Sequence, residues 1–395
     1  MPAGRPDHVT EGRRPAFAPT QARSSCDNSR MSALTFHAGP LALARIRTHG
    51  LRAEDIAVVP AAAGGPKGLV FRALDQWVFG DWFPRAPRER ILIGSSIGAW
   101  RLAAACQRDP VRAFTRLGEL YSGQRYTSTK PSRDQIHAVV QGLLDEFVRG
   151  HEDDIVNHPY HRLHVLAVRG KRSLAAPGHR HAEMRGFAAA ALHNLWSRDR
   201  LAHLMDRVVI ADRRAPAPWL REDFDGFATQ FAPLTPANLV SGLLASGTLP
   251  MLMKPVRDIA GAPPGHYWDG GIIDYNLALP YARLAQAAPG DIVLYPHFSE
   301  HIVPGWLDKG LPWRRAARGP NRGWLDNVLI VAPSRDFLAT MPRGKIIDRS
   351  DFKFYGLDHD ARIRAWRRAM DEGERLRDAF AAFVDKPDVA RIRPL

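Results

Sequence analysis

The run Ile91-Leu92-Ile93-Gly94-Ser95-Ser96-Ile97-Gly98-Ala99-Trp100 constrains this chain more than any other stretch. Its first three residues are apolar without alternation, the pattern of a short parallel strand covered on both faces. Gly94 to Gly98 then fits G-x-S-x-G, and Arg101, Leu102 and three alanines continue as good helix formers. A strand, a tight turn and a helix in that order predict an α/β sheet. The turn lifts the Ser96 hydroxyl above the sheet edge, where a helix N-terminus favours developing negative charge. Ser96 is therefore the candidate nucleophile.

A similar unit precedes it. Ile56 to Val59 reads as a strand, Ala61-Ala62-Ala63-Gly64-Gly65-Pro66-Lys67-Gly68 as a glycine-rich turn, and Leu69 to Val78 as an apolar helix. Such a turn points backbone N–H groups at an anion. Lys67 is followed by Gly68, so the phosphate-loop spacing is not met, and the dinucleotide fingerprint is absent. What fits is an oxyanion hole made by Gly64, Gly65, Lys67 and Gly68 and serving Ser96 on the next strand.

Downstream, a helix is expected at Pro40 to Thr48, mainly helix from Pro110 to Arg149, a strand at Arg162 to Arg169, helix from Met184 to Met205 and a strand at Arg207 to Ile210. Thr235-Pro236 can start a helix that runs through Ala237 to Ser246, with Gly247 closing it. Tyr267-Trp268-Asp269-Gly270-Gly271 then places an acid at a strand end before two glycines, where it can reach a serine on a neighbouring turn. His158, His161 and His164 recur every third residue, which suits neither helical nor strand-face metal ligation.

Ala63-Gly64-Gly65-Pro66-Lys67-Gly68, Gly94-Ser95-Ser96-Ile97-Gly98 and Asp269-Gly270-Gly271 occur in an order and context that resembles the patatin-like phospholipases. Ala245-Ser246-Gly247-Thr248-Leu249-Pro250 resembles the small-residue segment before their aspartate strand, and Asn276 and Pro280 echo positions after it. The likeness spans roughly residues 56–280, with Ala63 standing where the first oxyanion glycine is usual. It implies a three-layer α/β/α sandwich with a mainly parallel central sheet, forming one domain over residues 31–395. It also implies a lipid acyl hydrolase of phospholipase A or esterase type. Ser96 would be acylated, with Asp269 as its base and no histidine, metal or nucleotide required. The N–H groups of Gly64 and Gly65 would hold the oxyanion, with Lys67 adding charge nearby.

Two other readings compete. An α/β-hydrolase triad would use Ser96, Asp269 and His297, which stand in the right chain order, His297 following a strand at Ile292 to Tyr295. That fold places several strands before its serine, and only one is expected here. A non-catalytic protein binding anionic lipid or nucleic acid would leave all three motifs idle.

Composition narrows the setting. The formal net charge is +14, mostly from arginine spread along the whole chain. A long block of like charge, the mark of a nucleic-acid tail, is absent, so no nucleic-acid partner is expected, whereas peripheral contact with an anionic membrane is. Cys26 and Cys106 cannot build a disulfide framework, which suits a reducing, cytoplasmic compartment, with Cys106 as a small core residue. No apolar run reaches the length of a transmembrane helix. Residues 1–30 lack an apolar signal-peptide region and are expected to form a disordered extension, with Met31 as the start of the folded protein. Finally, His301 to Trp324 carries Trp306, Trp313 and Trp324 beside Lys309, Arg314, Arg315, Arg318 and Arg322. It is expected to form a mobile loop that docks on anionic bilayers and presents lipid to Ser96.

Overall fold

Eleven strands make one sheet in a computed structural model that describes residues 32–315 and 321–395. The expectations for residues 1–30, Met31, Cys26 and Arg318 lie outside the described residues. In chain order the strands are β1 (Leu34–Ala38), β2 (Ile56–Ala61), β3 (Arg90–Ser95), β4 (His161–Gly170), β5 (Met205–Ala211) and β6 (Thr229–Pro233). They continue with β7 (Val256–Arg257), β8 (His266–Asp269), β9 (Ile292–Pro296), β10 (Val328–Pro333) and β11 (Ile392–Pro394). Their order across the sheet is β11-β1-β10-β9-β2-β3-β4-β5-β6, with β8 on β4 and β7 on β8. The block β10-β9-β2-β3-β4 is parallel throughout.

The apolar runs read in the sequence become central strands because both sheet faces are covered. Successive residues alternate between two cores: Val59, Leu92, Leu294 and Leu329 feed one, and Val58, Ile93, Val293 and Ile330 feed the other. The first core is closed by the helices Ile97–Ala105, Pro110–Ser122, Arg133–Val148, Leu239–Gly247 and His359–Glu372. Trp219, Leu279, Tyr281 and Leu325 cover the second. The result is a three-layer α/β/α sandwich with a mainly parallel central sheet.

Most predicted elements occur within a few residues of their expected bounds. Three do not. Two strands, β1 and β2, precede β3, because Leu34–Ala38 inserts between β10, to which it is antiparallel, and the outermost strand β11, a pairing that its five residues do not announce. The expected helix at Leu69 to Val78 begins earlier, as a 3₁₀ turn over Gly65–Phe71, and only Arg72–Trp77 is α-helical. The stretch Met184 to Met205 holds the end of the helix Arg180–Trp196, a separate turn at Arg198–His203 and the first residue of β5.

The helix after Thr235 starts at Leu239, since Asn238 Oδ1 takes the Thr235 N–H at 2.9 Å and holds that segment as a turn. Gly247 is its last residue, and a Cβ there would lie 2.6 Å from Trp100. Close packing therefore explains this glycine. Cys106 is a buried free thiol at the end of the helix Ile97–Ala105. The three spaced histidines are tied into the fold: His158 and His161 stack at 4.2 Å, His161 bonds the Ala105 carbonyl, and His164 bonds those of Arg162 and Ala215. No described helix is long and apolar enough to cross a membrane.

Candidate active site

Strand register brings the three motifs to one level of the sheet. Ala61 of β2 pairs with Gly94 of β3, and Ser95 pairs with Leu166 of β4. There β3 ends, and β8, running antiparallel, takes up the next residues of β4, with Asp269 opposite Ala167. β5 holds the other edge of β4 over residues 164–170, so β8 continues the edge that β3 leaves. The turn at Ser96 and the end of β8 consequently meet across Ala167. Residues more than 170 apart in the chain become neighbours through backbone pairing alone.

Ser96 sits at φ 56°, ψ −132°, a conformation that L-residues avoid, at a cost of about 1–3 kcal/mol. Several contacts hold it there. Its N–H donates to Ser246 Oγ at 2.8 Å, and that hydroxyl donates to the Leu166 carbonyl at 2.6 Å. A Cβ on Gly98 would fall 1.9 Å from the Ala61 carbonyl oxygen, so only glycine lets the following helix cross β2 this closely. Arg101, one turn on, forms a buried two-pronged pair with Asp75 at 2.8 Å for each prong, tying this helix to the one after the glycine-rich turn. Removing one partner of such a pair typically costs about 3–5 kcal/mol.

In the glycine-rich turn, Ala63 uses its N–H on the Tyr275 carbonyl at 3.0 Å. Its φ is negative, so an alanine serves where glycine is usual. The N–H groups of Gly64 and Gly65 find no acceptor among the described residues. Gly65 has φ 58° and lies against Arg349, whose Cγ would be 3.2 Å from any Cβ there. Gly64, Gly65 and Lys67 line the same cavity as Ser96. Gly68 does not: it is buried over Ile97 and Arg101, where a Cβ would come within 3.3 Å and 3.0 Å of them. Its part is packing, which removes it from the expected oxyanion set.

Asp269 is buried at the end of β8. Its Oδ1 accepts the Gly271 N–H at 2.7 Å, and the Ser96 side chain hydrogen-bonds the same carboxyl. Burial raises the carboxyl to about 6, with those two hydrogen bonds and the charges of Arg349 and Lys309 opposing the rise. A group poised there is a base at neutral pH and can still hold a proton briefly. His297 lies elsewhere. It is fully buried between Tyr295 and Phe298, its Nδ1 engages the Ser299 carbonyl, and burial lowers it to about 4. It does not line the cavity, and no described histidine is hydrogen-bonded to Ser96 or Asp269.

The cavity measures about 550 Å³. One wall is apolar, with Ile97, Trp100, Ile136, Val140, Leu249 and Met253. The rim is cationic. Lys309 and Arg349 face Asp269 from segments that carried no motif in the sequence, so site reading from motifs missed them. Lys309 belongs to the loop around Trp306, which is fastened by buried Asp308 through Asn194 at 2.9 Å, Arg314 at 3.1 Å and Arg198 at 3.3 Å.

That loop corrects the expected docking segment. Trp306 lines the cavity and packs on the core beneath, and Trp324 lies edge-on to Phe224 at 5.4 Å. Arg314 is taken up by Asp308 and Asn194. Of the three tryptophans, Trp313 alone is largely exposed.

The chain matches no protein-family model and no curated protein.

Proposed function

We propose that the protein is a serine acyl hydrolase of the patatin-like type, cleaving fatty-acyl esters with a Ser96–Asp269 dyad. The observation that carries this reading is the meeting of Ser96, in its strained turn, with buried Asp269 beside N–H groups of Gly64 and Gly65 that have no acceptor among the described residues. Ser96 Oγ attacks the acyl carbonyl while Asp269 takes its proton. The N–H groups of Gly64 and Gly65 receive the oxyanion, each such donor being worth about 3–4 kcal/mol of barrier, and Lys67 adds positive charge. Collapse expels the alcohol, which takes the proton back from Asp269. Water, deprotonated by Asp269, then attacks the acyl-enzyme, and Asp269 returns that proton to Ser96 Oγ as the fatty acid leaves. The apolar wall suits the acyl chain. The low cysteine count supports a reducing, cytoplasmic setting.

The same reading includes peripheral contact with anionic bilayers, at a place shifted from the loop expected above. The helix Arg180–Trp196 ends in Leu192, Leu195 and Trp196, and the last is 78% exposed. Arg314 bonds the Leu195 carbonyl at 3.2 Å, which sets exposed Trp313 beside that helix end. Arg200 stands over the Trp196 ring at 5.8 Å, supplying charge that complements anionic lipid. Trp306 and Lys309, seven and four residues before Trp313, line the cavity, so the patch adjoins its mouth.

Turnover of a soluble short-chain acyl ester by wild type and by Ser96→Ala tests the hydrolase reading. Turnover by wild type with loss of nearly all activity in the variant is expected, and an active Ser96→Ala protein would end the reading.

A further inference from the structure

An acyl chain explains only one part of the cavity. The rim carries Lys67, Lys309, Arg349 and Lys353 against two carboxylates, Asp269 and Asp348. Asp348 is already engaged by Lys345 at 2.9 Å and by the Ser350 N–H at 2.8 Å. Asp269 is held by Gly271 and Ser96. Lys67, Lys309 and Arg349 form no ion pair with any described residue. Two buried arginines elsewhere are neutralised by carboxylates, Arg207 between Asp225 and Asp274, both at 2.7 Å, and Arg101 by Asp75, while buried Arg90 and Arg362 give their N–H groups to backbone carbonyls.

The two lysines rest on aromatic faces. Lys67 Nζ is 4.7 Å from the centre of the Phe298 ring, and Lys309 Nζ is 3.8 Å from that of Tyr275, the two rings being 6.1 Å apart. Such contacts are modest, about 0.5–2 kcal/mol, and leave ammonium N–H donors available. Arg349 lies against the backbone of Gly65, next to the oxyanion donors. Desolvation lowers both lysine amines, Lys309 to about 8, and the neighbouring cations lower them further. Asp348 and Asp269 offset part of this charge, and the excess of like charge that remains is relieved when an anion joins it.

We propose that Lys309 and Arg349, aided by Lys67, bind an anionic group, phosphate or carboxylate, carried by the substrate close to its scissile ester. The inference rests on the hydrolase reading and narrows its substrate to amphiphiles that bear their charge beside the ester. The apolar wall takes the acyl chain and the rim takes the anion, so the carbonyl is placed between them at Ser96. Lys309 and Arg349 act as specificity-determining residues.

The test compares kcat/KM for two soluble short-chain acyl esters that differ only in a phosphate on the alcohol portion. Wild type should favour the phosphorylated ester by about tenfold or more, the usual worth of a charge-assisted contact. The ratio should fall towards one in the Lys309→Met/Arg349→Met double variant and be retained in Lys309→Arg, with circular dichroism confirming the fold. An equal ratio in wild type and the double variant would overturn the anion site and leave the hydrolase reading standing.

If no ester is turned over, the hydrolase reading fails separately, and binding still decides the site. Inorganic phosphate and a short-chain phosphate-bearing amphiphile are then titrated calorimetrically into Ser96→Ala protein. Amphiphile binding that is weakened tenfold by adding Lys309→Met and Arg349→Met supports the proposal. Phosphate alone binding as tightly as the amphiphile, or binding that survives both substitutions, overturns it.

Discussion

The N–H of Ser96 and the hydroxyl of Ser246 are joined at 2.8 Å, and that hydroxyl reaches on to the Leu166 carbonyl at 2.6 Å. One buried side chain thus ties the turn at Ser96 both to the helix Leu239–Gly247 and to β4. Ser246→Ala should leave a buried donor and a buried acceptor unmatched, lowering stability by about 1–3 kcal/mol. It should also lower kcat more than it raises KM, because the turn loses its support without losing substrate contacts. Denaturant unfolding and steady-state kinetics on the same preparation check both parts.

The environment of Asp269 sets a pH dependence. Only the carboxylate can accept the Ser96 proton, so kcat/KM should rise as pH climbs through about 6 and then level off. Stability runs the other way. The folded carboxyl is raised from its ordinary 3.8 to about 6, so the folded state binds the proton more tightly, by about 3 kcal/mol. That penalty is present in full above the folded value, shrinks as pH falls through about 6, and is gone below about 4. Asp269→Asn should therefore raise the melting temperature at pH 8, and the gain should fade by pH 4. Thermal melts across that range, read beside the pH–rate profile, check the sign.

The central sheet and the end of it that carries Ser96 were legible because unbroken apolar runs such as Ile91-Leu92-Ile93 suit strands covered on both faces, and glycines mark their tight turns. β1 and β11 were not legible. They are the short outermost strand β11 and its neighbour β1, whose pairing comes from residues hundreds of positions away. Ser96 and Asp269 could be placed because turn chemistry is local. Ser246 was visible only as one small residue among several, since its role depends on where Leu166 lies. Lys309 and Arg349 carry no motif at all, and only folding sets them beside Gly65 and Asp269. Gly68 misled for a related reason: glycines in one turn look alike in sequence, although this one is required by the packing of Ile97 and Arg101.

His297 separates the dyad from a triad. With its Nδ1 on the Ser299 carbonyl and its ring among Tyr295 and Phe298, it has no path to Asp269. His297→Gln should change kcat/KM by less than about tenfold, against the 10³-fold or greater loss expected of a triad histidine, roughly. Ester kinetics on that variant decide between them.

The exposed patch offers a test that leaves the dyad alone. Replacing Trp196 and Trp313 with serine should weaken sedimentation with anionic vesicles and slow hydrolysis of bilayer substrate. Turnover of a soluble short-chain ester should stay near the wild-type rate. Equal losses on both substrates would mean damaged packing and would remove the patch as the docking site.

The central claim is that Ser96 becomes covalently acylated with Asp269 as its base. Peptide mass spectrometry after brief exposure to a fluorophosphonate ester reads this directly. The account predicts one adduct, on the peptide containing Ser96, absent from Ser96→Ala and formed at least about 100-fold more slowly in Asp269→Asn. An adduct on another residue, or one that forms as fast in Asp269→Asn as in wild type, would contradict it.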